Sequence, residues 1–438
     1  MPNTLMLAGF DKRTINPPPG IPMEGLGVSE PSQSVHDDLF VRVLHLSQNE
    51  TEVYIVSFDL LFFERQAVDR FKGAMGRAMD VKPSQIFLNT THTHAGPRMT
   101  SWAYSGAPDE IYLDRLEGAM IASARASKEK TRPVTITAGE TTTDIPVSRR
   151  KINAEGKADW APSFDSPVDS KLPFTILTDD EGKVVSVVFS VACHPSMIYQ
   201  PIISAEFPGA AVRHLNEHFQ TEGSLFLQGA AGDTKPRMGA SKVSHFKSCT
   251  WEEMEATGLQ VAETVIAAAS TVRPISPALT SELLEADWLL QPPLSREEYA
   301  ALAEDENLRD QQRRWAADML ARLDQNGPLP SVAPISVHFV QIGPGLRLIG
   351  IEGEVLARLG LRIREIYDQG ITFVLGYSNG TQIYMPMTEE LPEEGYEVVS
   401  FWEYHWPASS AQGCEEPLLE LIGEKSRTGL APNNAFSS

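Results

Sequence analysis

Apolar positions recur along the chain with two periods, and the period switches several times. Phe40–Leu46, Val53–Leu61 and Gln85–Leu88 read as strands, and between the last two lies Arg65–Met79, where Val68, Phe71, Met75 and Met79 fall at helical spacing. The pattern then predicts a helix over Ile111–Ala126 and strands at Val134–Ala138, Phe174–Thr178 and Val184–Val191. Helices at Gly209–Phe219 and Trp251–Ala269 flank a strand at Ser224–Leu227. Glu282–Leu290 reads as a strand, and Arg296–Leu323 as a long charged amphipathic helix or a helical hairpin. The final third returns to strands at Ile335–Ile342, Arg347–Ile351 and Ile371–Leu375, with a helix at Val355–Tyr367. Phe10–Gly27, with Pro17-Pro18-Pro19-Gly20, reads as ordered loop, and the polar stretch 146–172 as an excursion over the surface. Alternation of strand and helix predicts an α/β fold, with mixed β-sheets flanked by helices in one large domain spanning 1–438.

Composition narrows the function classes. Hydrophobic residues at 42% and charged residues at 22% exclude a disordered chain. A net charge of −21 repels phosphate backbones and anionic headgroups, so neither nucleic acid nor a charged membrane surface is an expected partner. The Glu304–Arg322 stretch, dense in charge, reads as a solvated helical face. Cys193, Cys249 and Cys414 form no Cys-x-x-Cys pair and offer no disulfide framework. Met1–Phe10 lacks the charged start and apolar run of a signal peptide, and no apolar run is long enough to span a bilayer. A cytoplasmic enzyme acting on a small molecule, without a membrane anchor, is the expectation.

Candidate chemistry sits where predicted strands end. Asn89-Thr90-Thr91-His92-Thr93-His94-Ala95-Gly96-Pro97 places two histidines two residues apart, which on an extended chain directs both imidazoles to one face. Strand ends are where open α/β sheets hold ligands. Val184–Cys193 is a nearly continuous apolar run that ends at His194-Pro195, repeating the arrangement. A third strand-to-turn passage, Gln228-Gly229-Ala230-Ala231-Gly232-Asp233, is built of small residues that let backbone approach closely. Its Asp233 either anchors a histidine or caps the turn.

Taken together these motifs resemble the catalytic domain of the neutral (non-lysosomal) ceramidases. The likeness is carried by Thr14-Ile15-Asn16-Pro17-Pro18, Val35-His36-Asp37-Asp38-Leu39, His92-Thr93-His94-Ala95-Gly96-Pro97, His194-Pro195, Gly232-Asp233 with Pro236, Gly353-Glu354, Tyr384, Thr388-Glu389-Glu390 and Tyr396-Glu397. It runs from about residue 8 to 400. The resemblance implies one Zn2+ ion held by His92, His194, Glu354 and Tyr384, with an open position for water. It further implies His94 as the proton shuttle and Tyr396 as the donor to a developing oxyanion. Arg149, Asp233 and Lys235 are the expected substrate-binding residues.

The implied reaction is hydrolysis of a linear amide, the N-acyl bond, by a metal-activated water. Three departures from the family pattern bear on this. The chain stops soon after the catalytic motifs, so no C-terminal immunoglobulin-like domain is expected. Lys235 stands where the family has serine, and Glu352 where it has proline. With Lys235 and Arg237 near the site, a soluble N-acyl compound is expected to suit it better than ceramide. An enzyme of the same scaffold acting on an ester, lactone or sugar-like substrate is the alternative, and a binding protein without turnover a further one.

Overall fold

The alternating segments assemble into two mixed sheets in a computed structural model of the chain, which describes residues 5–25, 30–241 and 244–428. Eight strands of the larger sheet run in the order Ser224–Gln228, Val184–Val191, Lys171–Asp179, Arg132–Thr142, Met6–Thr14, Phe40–Gln48, Thr51–Phe58, Ile86–Thr90. A ninth, Arg273–Ile275, pairs with Arg132–Thr142. Pairing is antiparallel through the middle and parallel at both ends, between Val184–Val191 and Ser224–Gln228 and between Thr51–Phe58 and Ile86–Thr90. The sheet rolls until its ends meet. There Ser57 Oγ donates to the Phe226 carbonyl at 2.8 Å, and the Gln228 amide donates to Asn89 Oδ1 at 2.8 Å. The smaller sheet runs Thr280–Leu289, Val332–Gly343, Leu346–Ile351, Ile371–Leu375, its last pair parallel.

Period-two alternation decides what each face meets. Val41, Val43, Tyr54 and Val56 pack against the helices Arg65–Met79 and Glu110–Glu129. The residues between them, Leu44, Leu46, Val53 and Ile55, pack against Val340, Leu348 and Phe373 of the smaller sheet. The opposite face of that sheet, with Ile335, Val337, Ile349 and Val374, lies under the helices Ala357–Ile366 and Glu416–Thr428. Helices Glu206–Phe219 and Trp251–Ala268 cover the remaining part of the large sheet through Phe189 and Phe226. The layers are helix, sheet, sheet, helix. Local signals set the helix limits. Thr250 and Glu253 form a reciprocal capping box at the start of Trp251–Ala268, and Asp80 ends Arg65–Met79 in the left-handed region.

Three expectations change. Phe10–Thr14 belongs to the central strand Met6–Thr14 and is not loop, while the last two residues of the expected loop, 26–27, lie outside the described residues. The supposed surface excursion contains the strand Pro146–Ile152, whose first five residues are buried between Ala158–Ser163 and Thr234–Pro236. Its arginines, Arg149 and Arg150, are neutralised internally by Glu397. Arg296–Leu323 is a hairpin of Arg296–Glu304 and Asp310–Asn326, and it is not solvated all round: Tyr299, Trp315 and Met319 are buried with Trp402. All three cysteines are free and buried. Among the described residues no helix is long and apolar enough to cross a membrane.

Candidate metal centre

Segments leaving the carboxyl ends of parallel-paired strands meet at one place. His92 and His94 follow Ile86–Thr90, His194 follows Val184–Val191, Gly232 follows Ser224–Gln228, and Glu354 follows Leu346–Ile351. Asn89 joins two of these strand ends to that of Ile371–Leu375. Its Oδ1 accepts from the Gln228 amide, and its Nδ2 donates to the Gly376 carbonyl at 2.9 Å. Glu354 and Tyr384 are direct partners in a short parallel ladder, so two residues thirty positions apart share one register.

His92 and His94 do converge, though not through strand alternation. The strand ends at Thr90, and His92 holds φ 64°, a left-handed conformation that is uncommon for a residue with a Cβ. Its amide donates to the Leu60 carbonyl at 2.9 Å. Tyr377, also left-handed at φ 52°, lies against the His92 ring with centroids 4.0 Å apart. Strained residues gather at sites that over-determine them.

The histidine rings are oriented by backbone. His92 Nδ1 donates to the Leu61 carbonyl at 2.9 Å, and His194 Nδ1 to the Ala231 carbonyl at 2.6 Å. A carbonyl only accepts, so both protons sit on Nδ1 and both Nε2 atoms turn bare lone pairs to the centre. Glu354 Oε2 lies 3.7 Å from His92 Nε2 and 3.3 Å from His194 Nε2. His94 Nε2 lies 3.2 Å from His92 Nε2. Burial pushes His92 down to about 3 and pushes His94 and His194 well below the ordinary imidazole value, neighbouring positive groups adding to the effect. The rings are therefore neutral at pH 7.

This donor set fits a divalent cation. Lone pairs and a carboxylate oxygen at such separations repel unless a cation lies between them, and the ring nitrogens of His92, His94 and His194 lie within 4.8 Å of one another. Two histidines whose other nitrogen is pinned by backbone are what metal ligation selects. His94 differs, because its Nδ1 is buried without any partner. Tyr384 lines the same cavity, its hydroxyl accepting from Arg149 Nη2 at 3.0 Å, and burial raises its pKa well above the usual phenol value.

Arg149 and Glu397 frame the centre. Arg149 is buried, with Nε on Glu397 at 2.7 Å, Nη2 on the Gly232 carbonyl at 2.7 Å and Nη1 3.4 Å from His194 Nε2. Arg150 donates to the other Glu397 oxygen at 2.8 Å. Lys235 also lines the cavity. Its ammonium donates to Tyr199 at 3.0 Å, and burial, reinforced by Arg149, pushes it down to about 7. Asp233 lies elsewhere: its Oδ1 accepts from the Ala357 amide at 2.8 Å, capping the helix Ala357–Ile366, and it does not line this cavity. Arg237 is an exposed partner of Asp144. Tyr396 lines the cavity, but its hydroxyl donates to Glu403 at 2.6 Å. Glu352 is fully buried and accepts from Arg65, Gln382 and the Ser336 amide.

Sequence reasoning missed Tyr377, Glu397 and Tyr404 as site residues. Tyr377 and Tyr404 donate their hydroxyls to the two oxygens of Glu354. None carries a spacing signal. Tyr404 lies fifty positions from its partner, in the aromatic run Phe401-Trp402-Glu403-Tyr404, where packing is the ordinary reading.

Neither a family sequence model nor a characterised relative matches the chain by sequence. Solved structures do. Neutral ceramidase from Pseudomonas aeruginosa superposes with a TM-score of 0.74 at 14% identity, covering 96% of this chain and 74% of its own. A ceramidase complexed with C2 gives 0.76 at 16% identity, covering 98% and 76%. The chain has the neutral-ceramidase fold over nearly its whole length.

Proposed function

We propose that the chain is a zinc-dependent hydrolase that cleaves a linear amide bond in a small N-acyl compound more soluble than ceramide. The observation that carries this reading is the convergence of two backbone-pinned, neutral imidazole lone pairs on one buried carboxylate, with His94 beside them. His92, His194, Glu354 and Tyr384 are the residues that would hold the ion. Bound there, zinc would supply Lewis acidity to the substrate carbonyl and to the attacking water.

The chain's own residues do the rest. His94, half-buried at the cavity beside His92, takes one proton from the attacking water at Nε2 and passes it to the departing nitrogen. The water oxygen bonds to the acyl carbon, the carbon–nitrogen bond breaks, and the amine leaves with that proton. Tyr396 turns its hydroxyl from Glu403 to the developing oxyanion. Arg149, locked by Glu397 and the Gly232 carbonyl, holds Tyr384 and excludes water from behind it. Lys235 sets a hydrogen-bonding amine in the cavity wall, suited to a polar substituent and unsuited to an alkyl chain.

Metal content and turnover of two variants test the assignment. His194→Ala is expected to lose both zinc and activity. His94→Ala is expected to keep zinc and lose about 10²–10⁴ in turnover. Zinc retained by His194→Ala removes it from the ligand set, and turnover confined to esters or lactones replaces the amide.

A further inference from the structure

The cavity that holds the proposed ligands has a volume of only 80 Å³. A second cavity of 330 Å³ adjoins it, sharing Phe62 and Trp102 as common walls. The two are also joined by a crossed pair of hydrogen bonds. Tyr404 lines the larger cavity and donates to Glu354 of the smaller, while Tyr396 lines the smaller and donates to Glu403 of the larger. The larger space is thus placed to take a part of the substrate that lies beyond the scissile group.

Its walls are mostly polar, with Arg65, Arg322 and His405 beside two carboxylates. Glu64 and Glu403 face it, and neither has an ion-pair partner among the described residues; they accept only from Ser101 and Tyr396. Phe62, Trp102 and Tyr404 add apolar surface between these groups. A hydrocarbon tail seated here would cover the carboxylates and return no hydrogen bonds. Hydroxyl groups would satisfy them, with a ring lying against the aromatic side chains.

We infer that this groove takes the amine-bearing half of the substrate and that this half is a hydroxylated ring, so that the substrate is an N-acylated amino sugar with a short acyl group. The inference rests on the amide-hydrolase reading for the position of the scissile bond, but the groove's selectivity is measurable without turnover. Calorimetry on the zinc-loaded full chain would compare glucosamine, N-acetylglucosamine and hexylamine as ligands. The two sugars are expected to bind and hexylamine not to. Glu403→Gln and Glu64→Gln are each expected to weaken sugar binding about tenfold, and both keep the shape of the residue they replace. Hexylamine binding as tightly as glucosamine, or sugar binding indifferent to both substitutions, overturns the inference. Sugar binding with the expected losses but no release of acetate from N-acetylglucosamine upholds the groove and sinks the amide reading. Hydrolysis of N-acetyl-hexylamine in preference to the sugar does the reverse.

Discussion

Glu354 shows how much of a site can hang on residues that never touch the substrate. Its Oε2 faces both histidine lone pairs, and it can do so because Tyr404 holds Oε1 and Tyr377 approaches Oε2 at 3.3 Å. Outer hydrogen bonds of this kind fix the orientation of a ligand carboxylate. Tyr404→Phe removes one hydroxyl and leaves the ring stacked near Phe62 and Tyr384. Zinc affinity is expected to fall about 10–100-fold, read by competition with a chelator. Unchanged affinity would mean that the carboxylate is oriented by Tyr377 alone. Arg149 illustrates the converse. As a residue in a polar stretch it reads equally as a surface ion pair, and only its enclosure by Glu397, Trp160 and Tyr384 makes it part of the centre.

Among the elements, short contacts between turns matter more than the long strands. Gly229 and Gly232 lie where small residues suggest close backbone approach, and both approaches exist. A Cβ on Gly229 would fall 2.9 Å from Ala192 Cα, and one on Gly232 would fall 2.7 Å from the Glu354 carbonyl oxygen. Gly232 also donates its amide to the Val355 carbonyl at 2.8 Å, tying the turn to the segment that carries the carboxylate. Gly232→Ala must push that backbone aside. A loss of about 1–3 kcal/mol in urea unfolding is expected, together with weaker zinc binding. Unaltered stability and affinity would show that the ladder pairing Glu354 with Tyr384 has slack.

For the whole molecule, the seam between a helical layer and the second sheet holds an unusual charge. Lys72, on the helix Arg65–Met79, is 4% exposed, and its ammonium has no hydrogen-bond acceptor. Burial pushes it down to about 7, against the attraction of Glu352 and Asp69. The folded-state value lies below the ordinary lysine value of 10.5, so the fold prefers the neutral amine. Stability is therefore greatest above the unfolded value and falls as pH drops from 10.5 toward 7, staying at the lower level below that. Lys72→Met is expected to stabilise the chain at neutral pH by about 1–3 kcal/mol. The gain should shrink as pH rises from 7 to 10.5, which urea unfolding at several pH values would show. A gain independent of pH would mean that packing and not charge is responsible.

The sequence by itself determined the α/β class and most of the element order, because period-two and period-3.6 patterns are local and the helix caps are written next to the helices they limit. It also indicated His92, His94 and His194, since each follows an apolar strand within a few residues, and the close turns at Gly229 and Gly232. The tertiary structure alone decided what those residues face. The left-handed turn at His92, the pinning of two rings by the Leu61 and Ala231 carbonyls, and the enclosure of Arg149 by Glu397 all depend on segments tens to hundreds of residues apart. So do the Tyr404 contact and the capping role of Asp233. No local pattern encodes them, because a hydrogen bond between distant segments leaves no periodicity in either one.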